Sequence, residues 1–378
     1  MSPLRALSNP LAAPGQDLDP AGRAPLDFHR RLPGYAVTPL VDAPGLANSL
    51  GVGRVWVKDE SWRLGLPAFK ILGASWAVYR ALERHLGGIG TWEDLEGLSE
   101  HLASFGPLTL AAATDGNHGR AVARMAKLLG LGARIFVPDD MAPARIEAIE
   151  SEGAEVVIVR GTYDEAVARS SEEAGGRCLV ISDTSWPGYE EVPRWVIDGY
   201  STILWEVDEE LARRGEEGPT LVVAQIGVGA FAAAVTRHFR SPGVSARPTI
   251  LGVEPARAAC ALASAEAGEP VHLPGPHDSI MAGLNCGTPS VVAWPTVSRG
   301  IDVFVEIEDH WSREAMRMLA GAGIVSGETG AAGLAGLLAA AREGDKGKLG
   351  LTGETRVLVF NCEGATDPGA YQRILAEE

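Results

Sequence analysis

From residue 107 to residue 364, short aliphatic runs alternate with segments of helical pattern. PLTLAAAT (107–114) precedes NHGRAVARMAKLLG, ARIFVP (133–138) precedes PARIEAIESEG, and EVVIVR (155–160) precedes TYDEAVARSSEEAG. CLVISD (178–183) precedes a long helical segment ending near Arg214. After the polar break RRGEEGPT the rhythm resumes with LVVAQ (221–225), TILGVEP (249–255), VFVEI (303–307) and RVLVFNCEG (356–364). Runs this short and this apolar are buried on both faces, and a helix between successive runs makes them parallel strands joined by right-handed crossovers. The chain is therefore α/β, with mostly parallel sheets flanked by helices and any site outside the carboxyl ends of the strands.

The 378 residues, 46% hydrophobic and 22% charged, are enough for two lobes with separate cores. A formal net charge of -16 argues against a nucleic-acid partner and against an anionic membrane surface. No apolar run is long enough to span a bilayer, and MSPLRALSNPLAAPG lacks the apolar region of a secretory signal, so a cytoplasmic protein is expected. Cys178, Cys260, Cys286 and Cys362 form no CxxC pattern, and the eight histidines show no HExxH spacing, so no metal site is expected. The Pro/Gly-rich first 45 residues read as an extended arm.

Three segments carry candidate chemistry. In LGLPAFKILGASWAV (64–78), Lys70 is the one charged residue. It could send its ammonium to water along its own stem, or be buried so that it loses its proton more easily and serves as an amine nucleophile. In QIGVGAFAAAV (225–235), Gly227 and Gly229 would let backbone N–H groups approach an anion at a helix N-terminus, although a plain tight turn would look the same. In ATDGNHGRAVA (113–123), Asp115, Asn117 and His118 crowd between glycines at another strand-to-helix junction, where an N-cap explains Asp115 alone but not all three.

Taken together, FK at 69–70, TDGNHG at 114–119, GVGAFAAAV at 227–235, GVEP at 252–255 and a closing strand ending NCEG resemble the fold-type-II, tryptophan-synthase-β-like pyridoxal-phosphate enzymes. The likeness runs in order from VKDES at Lys58 to Pro368. Within that group the chain is most similar to the diaminopropionate ammonia-lyases, through the aspartate of TDGNHG, RLGLPAFKILGAS, SDTSWPGY, MAGLNCG and EGATDP. The resemblance implies a large cofactor-binding domain (1–91 and 191–378), a small domain (92–190), and the cofactor pyridoxal 5'-phosphate in the cleft between them. Lys70 would hold it as a Schiff base, with Phe69 beside the ring and apolar neighbours keeping the amine unprotonated. Asn117 would meet its phenolic oxygen, Gly227, Val228, Gly229 and Ala230 its phosphate, and Cys362 its pyridine nitrogen. Thr114, Asp115, Gly116 and His118 would meet the substrate, and Lys70, Asp115 and Asp183 would be catalytic.

The implied reaction is α,β-elimination of 2,3-diaminopropionate to pyruvate and ammonia. The alternatives are a serine or threonine dehydratase on the same scaffold, or a pyridoxal-phosphate-binding protein without turnover. A homodimer is implied as well. Cys260 and Cys286 lie in segments that would border the site, which leaves a disulfide between them open. Glu254 reads as ordering a strand end, Glu328 as capping a helix, and Trp62, Trp186 and Trp294 as pocket packing.

Overall fold

The computed structural model describes residues 4–13, 15, 16, 18, 19, 21–114, 116–242, 247–343 and 349–377. It contains two sheets. The larger has seven strands in the order β1 (Ala6–Ser8), β10 (Val303–Ile307), β9 (Thr249–Pro255), β8 (Leu221–Gln225), β11 (Arg356–Asn361), β3 (Arg54–Asp59), β2 (Leu40–Asp42). The five inner strands are parallel, and β1 and β2 close the edges antiparallel. Every residue of β8 is buried, as expected for a central strand with helices on both faces. The smaller sheet is wholly parallel, in the order β6 (Glu155–Val159), β5 (Gly132–Pro138), β4 (Thr109–Ala113), β7 (Cys178–Val180).

The chain packs as two compact units, one of Met1–Gly22, Val37–Trp62 and Ile203–Glu378, the other of Arg23–Ala36 and Arg63–Thr202. In the first, the helices Asp309–Gly321 and Glu328–Arg342 cover the sheet over a core that includes Val223, Val253, Val305, Leu334, Leu338 and Val359. In the second, Ala111, Ala113, Phe136, Ala166 and Val180 form a core cluster on the small sheet. These boundaries differ from the expected 91/92 and 190/191. The helix Lys70–Leu86 meets the start of the helix Glu191–Arg214 almost backbone to backbone: a Cβ on Gly199 would lie 2.5 Å from Leu72 O and 2.8 Å from Gly73 Cα. That contact carries Lys70 into the unit of the small sheet.

The N-terminal arm is more structured than its composition suggests. Its β1 pairs with β10, its β2 pairs with β3, and a helix forms at Ala24–His29. His29 in that helix is fully buried, with Nδ1 2.7 Å from Thr202 Oγ1 and Nε2 2.9 Å from Leu72 O. All four cysteines are free thiols, so there is no Cys260 to Cys286 disulfide. No helix among the described residues is long and apolar enough to cross a membrane.

Candidate active site

In the unit of the small sheet, Lys70 is the first residue of its helix and Phe69 the capping residue before it, packed on Tyr200 with ring centroids 4.6 Å apart. The lysine amine is not simply held among apolar groups, as the sequence had suggested. Its Nζ lies 2.6 Å from Asp183 Oδ2, with the two side chains 19% and 8% exposed. Asp183 follows β7, where the chain leaves the sheet at its carboxyl end. Tyr163 OH donates to Asp183 Oδ1 at 3.3 Å, and His118 Nδ1 is 3.8 Å from Oδ2. Burial alone would push the Asp183 carboxyl up; the Lys70 ammonium outweighs it, helped by His118 and the Tyr163 hydroxyl, and holds Asp183 well below the usual carboxylate range. The Asp183 segment is itself pinned by Tyr189, whose hydroxyl donates to Val180 O at 2.6 Å and accepts from Ser182 N at 3.1 Å while its ring stacks on Trp186.

The TDGNHG loop leaves the carboxyl end of β4. Thr114 Oγ1 accepts from both Gly116 N and Gly119 N at 2.9 Å, so the hydroxyl expected to meet substrate also shapes the loop. Gly116 adopts φ 144 and ψ -78, a conformation that a side chain would strain. Gly119 is required for space, because a Cβ there would sit 2.6 Å from Ile135 Cγ2 and against the Thr114 methyl. The buried His118 donates from Nε2 to Ile181 O at 2.8 Å and turns Nδ1 toward Asp183. Asn117 is the first residue of the helix Asn117–Leu128. Asp115 lies outside the described residues.

In the other unit, β8 ends at Gln225 and the helix Ala230–Phe239 begins after Gly229, which has φ 98. The carbonyl of Gly227 accepts from Cys260 Sγ at 3.8 Å and that of Val228 from Ser290 N at 2.8 Å. Because a peptide is planar and trans, the N–H groups of Val228 and Gly229 then point the opposite way. The N–H groups of Val228, Gly229 and Ala230 find no acceptor among the described residues. Such an arc at a helix N-terminus fits an anion. Gly227 lets the loop approach its neighbour, since a Cβ there would lie 3.0 Å from Gly283 O. Cys362, just past β11, is buried and donates its thiol to Thr329 O at 3.6 Å.

The residues weighed as structural are also placed. Glu254 accepts from Ala261 N and Leu262 N at 2.7 and 2.8 Å, ordering the turn after β9. The carboxylate that receives Thr329 N at the start of the helix Glu328–Arg342 is Glu363, at 3.1 Å, rather than Glu328. Trp62 is 65% exposed, while Trp294 is buried. Tyr163 and Tyr189 gave no signal in the sequence: each reads as an ordinary aromatic until the fold brings its hydroxyl to the Asp183 segment.

A model of the pyridoxal-phosphate dependent enzymes matches residues 31–363. The chain belongs to the pyridoxal-phosphate dependent enzyme family. Among its members, the diaminopropionate ammonia-lyase of Salmonella typhimurium is 37% identical over 377 residues, 94% of this chain and 91% of that protein. An L-threonine dehydratase of Mycobacterium bovis is 31% identical over 277 residues, 72% of this chain but 53% of that protein. The crystal structure of diaminopropionate ammonia-lyase from Escherichia coli in complex with D-serine matches with a TM-score of 0.90 at 33% identity, over 99% of this chain and 97% of that one. The cofactor is thus pyridoxal phosphate and the fold is type II. Each unit by itself carries residues that suit such a group: the one has an amine on a helix start, the other an arc of N–H groups without acceptors among the described residues and a buried thiol.

Proposed function

We propose that this chain is a diaminopropionate ammonia-lyase, eliminating ammonia from 2,3-diaminopropionate to give pyruvate and a second ammonia. The observation that carries this reading is the carboxylate of Asp183, built around an ammonium at 2.6 Å and held ionised. A substrate with an ammonium on Cβ matches such a group, whereas a β-hydroxyl would leave the buried carboxylate without a partner charge. The identity of 37% over 94% of the chain to a diaminopropionate ammonia-lyase supports the same substrate.

Lys70 would hold the cofactor through Nζ, the N–H groups of Val228, Gly229 and Ala230 its phosphate, and Asn117 its phenolic oxygen. Cys362 would face its ring nitrogen as a thiol whose proton is already given to Thr329 O, leaving that nitrogen without a donor. Bound pyridoxal phosphate supplies electron withdrawal from Cα of the amino acid attached to it. Lys70 Nζ, released when substrate arrives, takes the Cα proton of the L-isomer, and Asp115 takes that of the D-isomer from the opposite face. Asp183 pairs with the substrate's β-nitrogen in the place where Lys70 Nζ lies in this structure. It keeps the substrate's β-nitrogen as an ammonium, so that when the Cα–H bonding pair moves to Cα–Cβ, the Cβ–N pair departs with neutral ammonia. The released 2-aminoacrylate hydrolyses in water to pyruvate and ammonia. A cytoplasmic homodimer completes the proposal.

Pyruvate release from D- and L-diaminopropionate, measured beside D- and L-serine and L-threonine, tests it. Diaminopropionate should be turned over far faster than the hydroxy amino acids. Preference for serine or threonine would make the chain a dehydratase, and a cofactor absorbance band without pyruvate from any of them would make it a binding protein.

A further inference from the structure

β7 stops pairing with β4 at Val180, although β4 runs on to Ala113, and Ile181 and Ser182 then carry the chain to Asp183. Their backbone groups are taken from both sides. On one edge Ile181 N donates to Ala111 O at 2.7 Å, and Ile181 O accepts from His118 Nε2 at 2.8 Å. On the opposite edge a single hydroxyl serves: Tyr189 OH donates to Val180 O at 2.6 Å and accepts from Ser182 N at 3.1 Å. A carbonyl and the N–H two residues on face the same side of an extended chain, so one atom can bridge them. Tyr189 reaches that edge because the chain doubles back through Pro187 and Gly188, the latter at φ 89, and because its ring stacks on Trp186 with centroids 4.2 Å apart. Burial pushes the hydroxyl up against the pull of the Ser182 N–H, so it stays protonated and fills both bonds.

We propose that Tyr189 is a positioning residue: by fixing the backbone on both sides of Ile181 it aims the Asp183 carboxylate at the substrate's β-ammonium, and so sets the preference for a β-amino over a β-hydroxyl amino acid. The proposal rests on the elimination reading, in which Asp183 meets the β-nitrogen. Both bonds of the Tyr189 hydroxyl go to backbone, so it acts on the carboxylate only through the chain that carries it, whereas Tyr163 bonds the carboxylate itself. A carboxylate that stands 2.6 Å from an ammonium leaves hydrogen-bond range when it moves by about 1 Å. Freeing the carbonyl of Val180 and the N–H of Ser182 allows such a shift. An amino acid without a β-substituent makes no use of that carboxylate, and its binding is indifferent to where the carboxylate stands.

The test uses the holoenzyme and Tyr189→Phe, which keeps the ring and its stack. Ammonia release from diaminopropionate should fall by roughly 10- to 100-fold in kcat/KM. The affinity for alanine, which has no group for Asp183 and is titrated through the cofactor absorbance band, should stay unaltered. Trp186→Leu, which leaves the hydroxyl but removes its stacked ring, should show the same selectivity with a smaller loss. In parallel, melting of the cofactor-free protein is followed for Tyr189→Phe, Asp183→Asn and the double variant. Replacing Asp183 should lower Tm less where the hydroxyl is already gone, a readout that stands even if the unmutated protein fails to eliminate ammonia and the functional reading falls. Equal losses for diaminopropionate and alanine, no loss for diaminopropionate, or additive losses in melting would overturn the assignment and leave Tyr189 as a structural side chain.

Discussion

Asp183→Asn removes a charge and almost nothing else, so its consequences follow from the ion pair it breaks. Asp183 and Lys70 are 8% and 19% exposed at 2.6 Å, and the amide would leave the ammonium facing a neutral group. Removing one partner of a fully buried pair costs about 3–5 kcal/mol, and the solvent still reaching Lys70 reduces this to about 2–3 kcal/mol. In a protein of this size that lowers the melting temperature of the cofactor-free form by about 3–4 °C at pH 7. The sign with pH is fixed by the depressed carboxyl. An acid whose folded pKa lies below its unfolded value contributes stability above the unfolded value, about 4, and loses it as pH falls further. The unmutated protein should therefore lose its advantage over Asp183→Asn as the medium is acidified below about pH 4. Melting curves of the cofactor-free proteins from pH 3 to 8 measure both effects. The double variant Lys70→Met, Asp183→Asn should regain most of the loss, since no unpaired charge remains. If Asp183→Asn melts with the unmutated protein at pH 7, or the double variant is no more stable than the single one, the ion pair is not what holds this site.

Three further outcomes are expected. Lys70→Ala should abolish turnover and the borohydride-trapped lysine; trapping at Lys127 or at Lys58, which is buried 2.6 Å from Glu206, would overturn the assignment of Lys70. Gly119→Ala forces a methyl into Thr114 and Ile135, and by overpacking should cost about 1–3 kcal/mol by thermal melting and raise KM by displacing the hydroxyl that shapes the loop. Asp115→Asn should keep the cofactor band and lose mainly turnover of D-diaminopropionate; equal residual activity on both isomers in the pyruvate assay would contradict a role as the base for one face.

What the sequence determined by itself was local. The runs LVVAQ, TILGVEP and VFVEI coincide with β8, β9 and β10 because a strand buried on both faces must be apolar throughout, and that requirement is written into consecutive residues. The glycines of TDGNHG and GVGAF were legible for a related reason: φ near 144 or 98 admits little else, so the residue type reports the backbone. Lys70 was conspicuous as a charge in an apolar run. Its partner was not, since Asp183 stands 113 residues away and reads locally as a turn former. Nor could spacing reveal that Thr114 spends its hydroxyl on two loop amides, that Tyr163 reaches Asp183, that Tyr189 holds Val180 and Ser182, or that the Pro-rich arm contributes edge strands at Ala6–Ser8 and Leu40–Asp42. Backbone conformation is constrained by near neighbours in the chain. Which side chain faces which charge is decided only when each sheet forms and brings its own distant strand ends together.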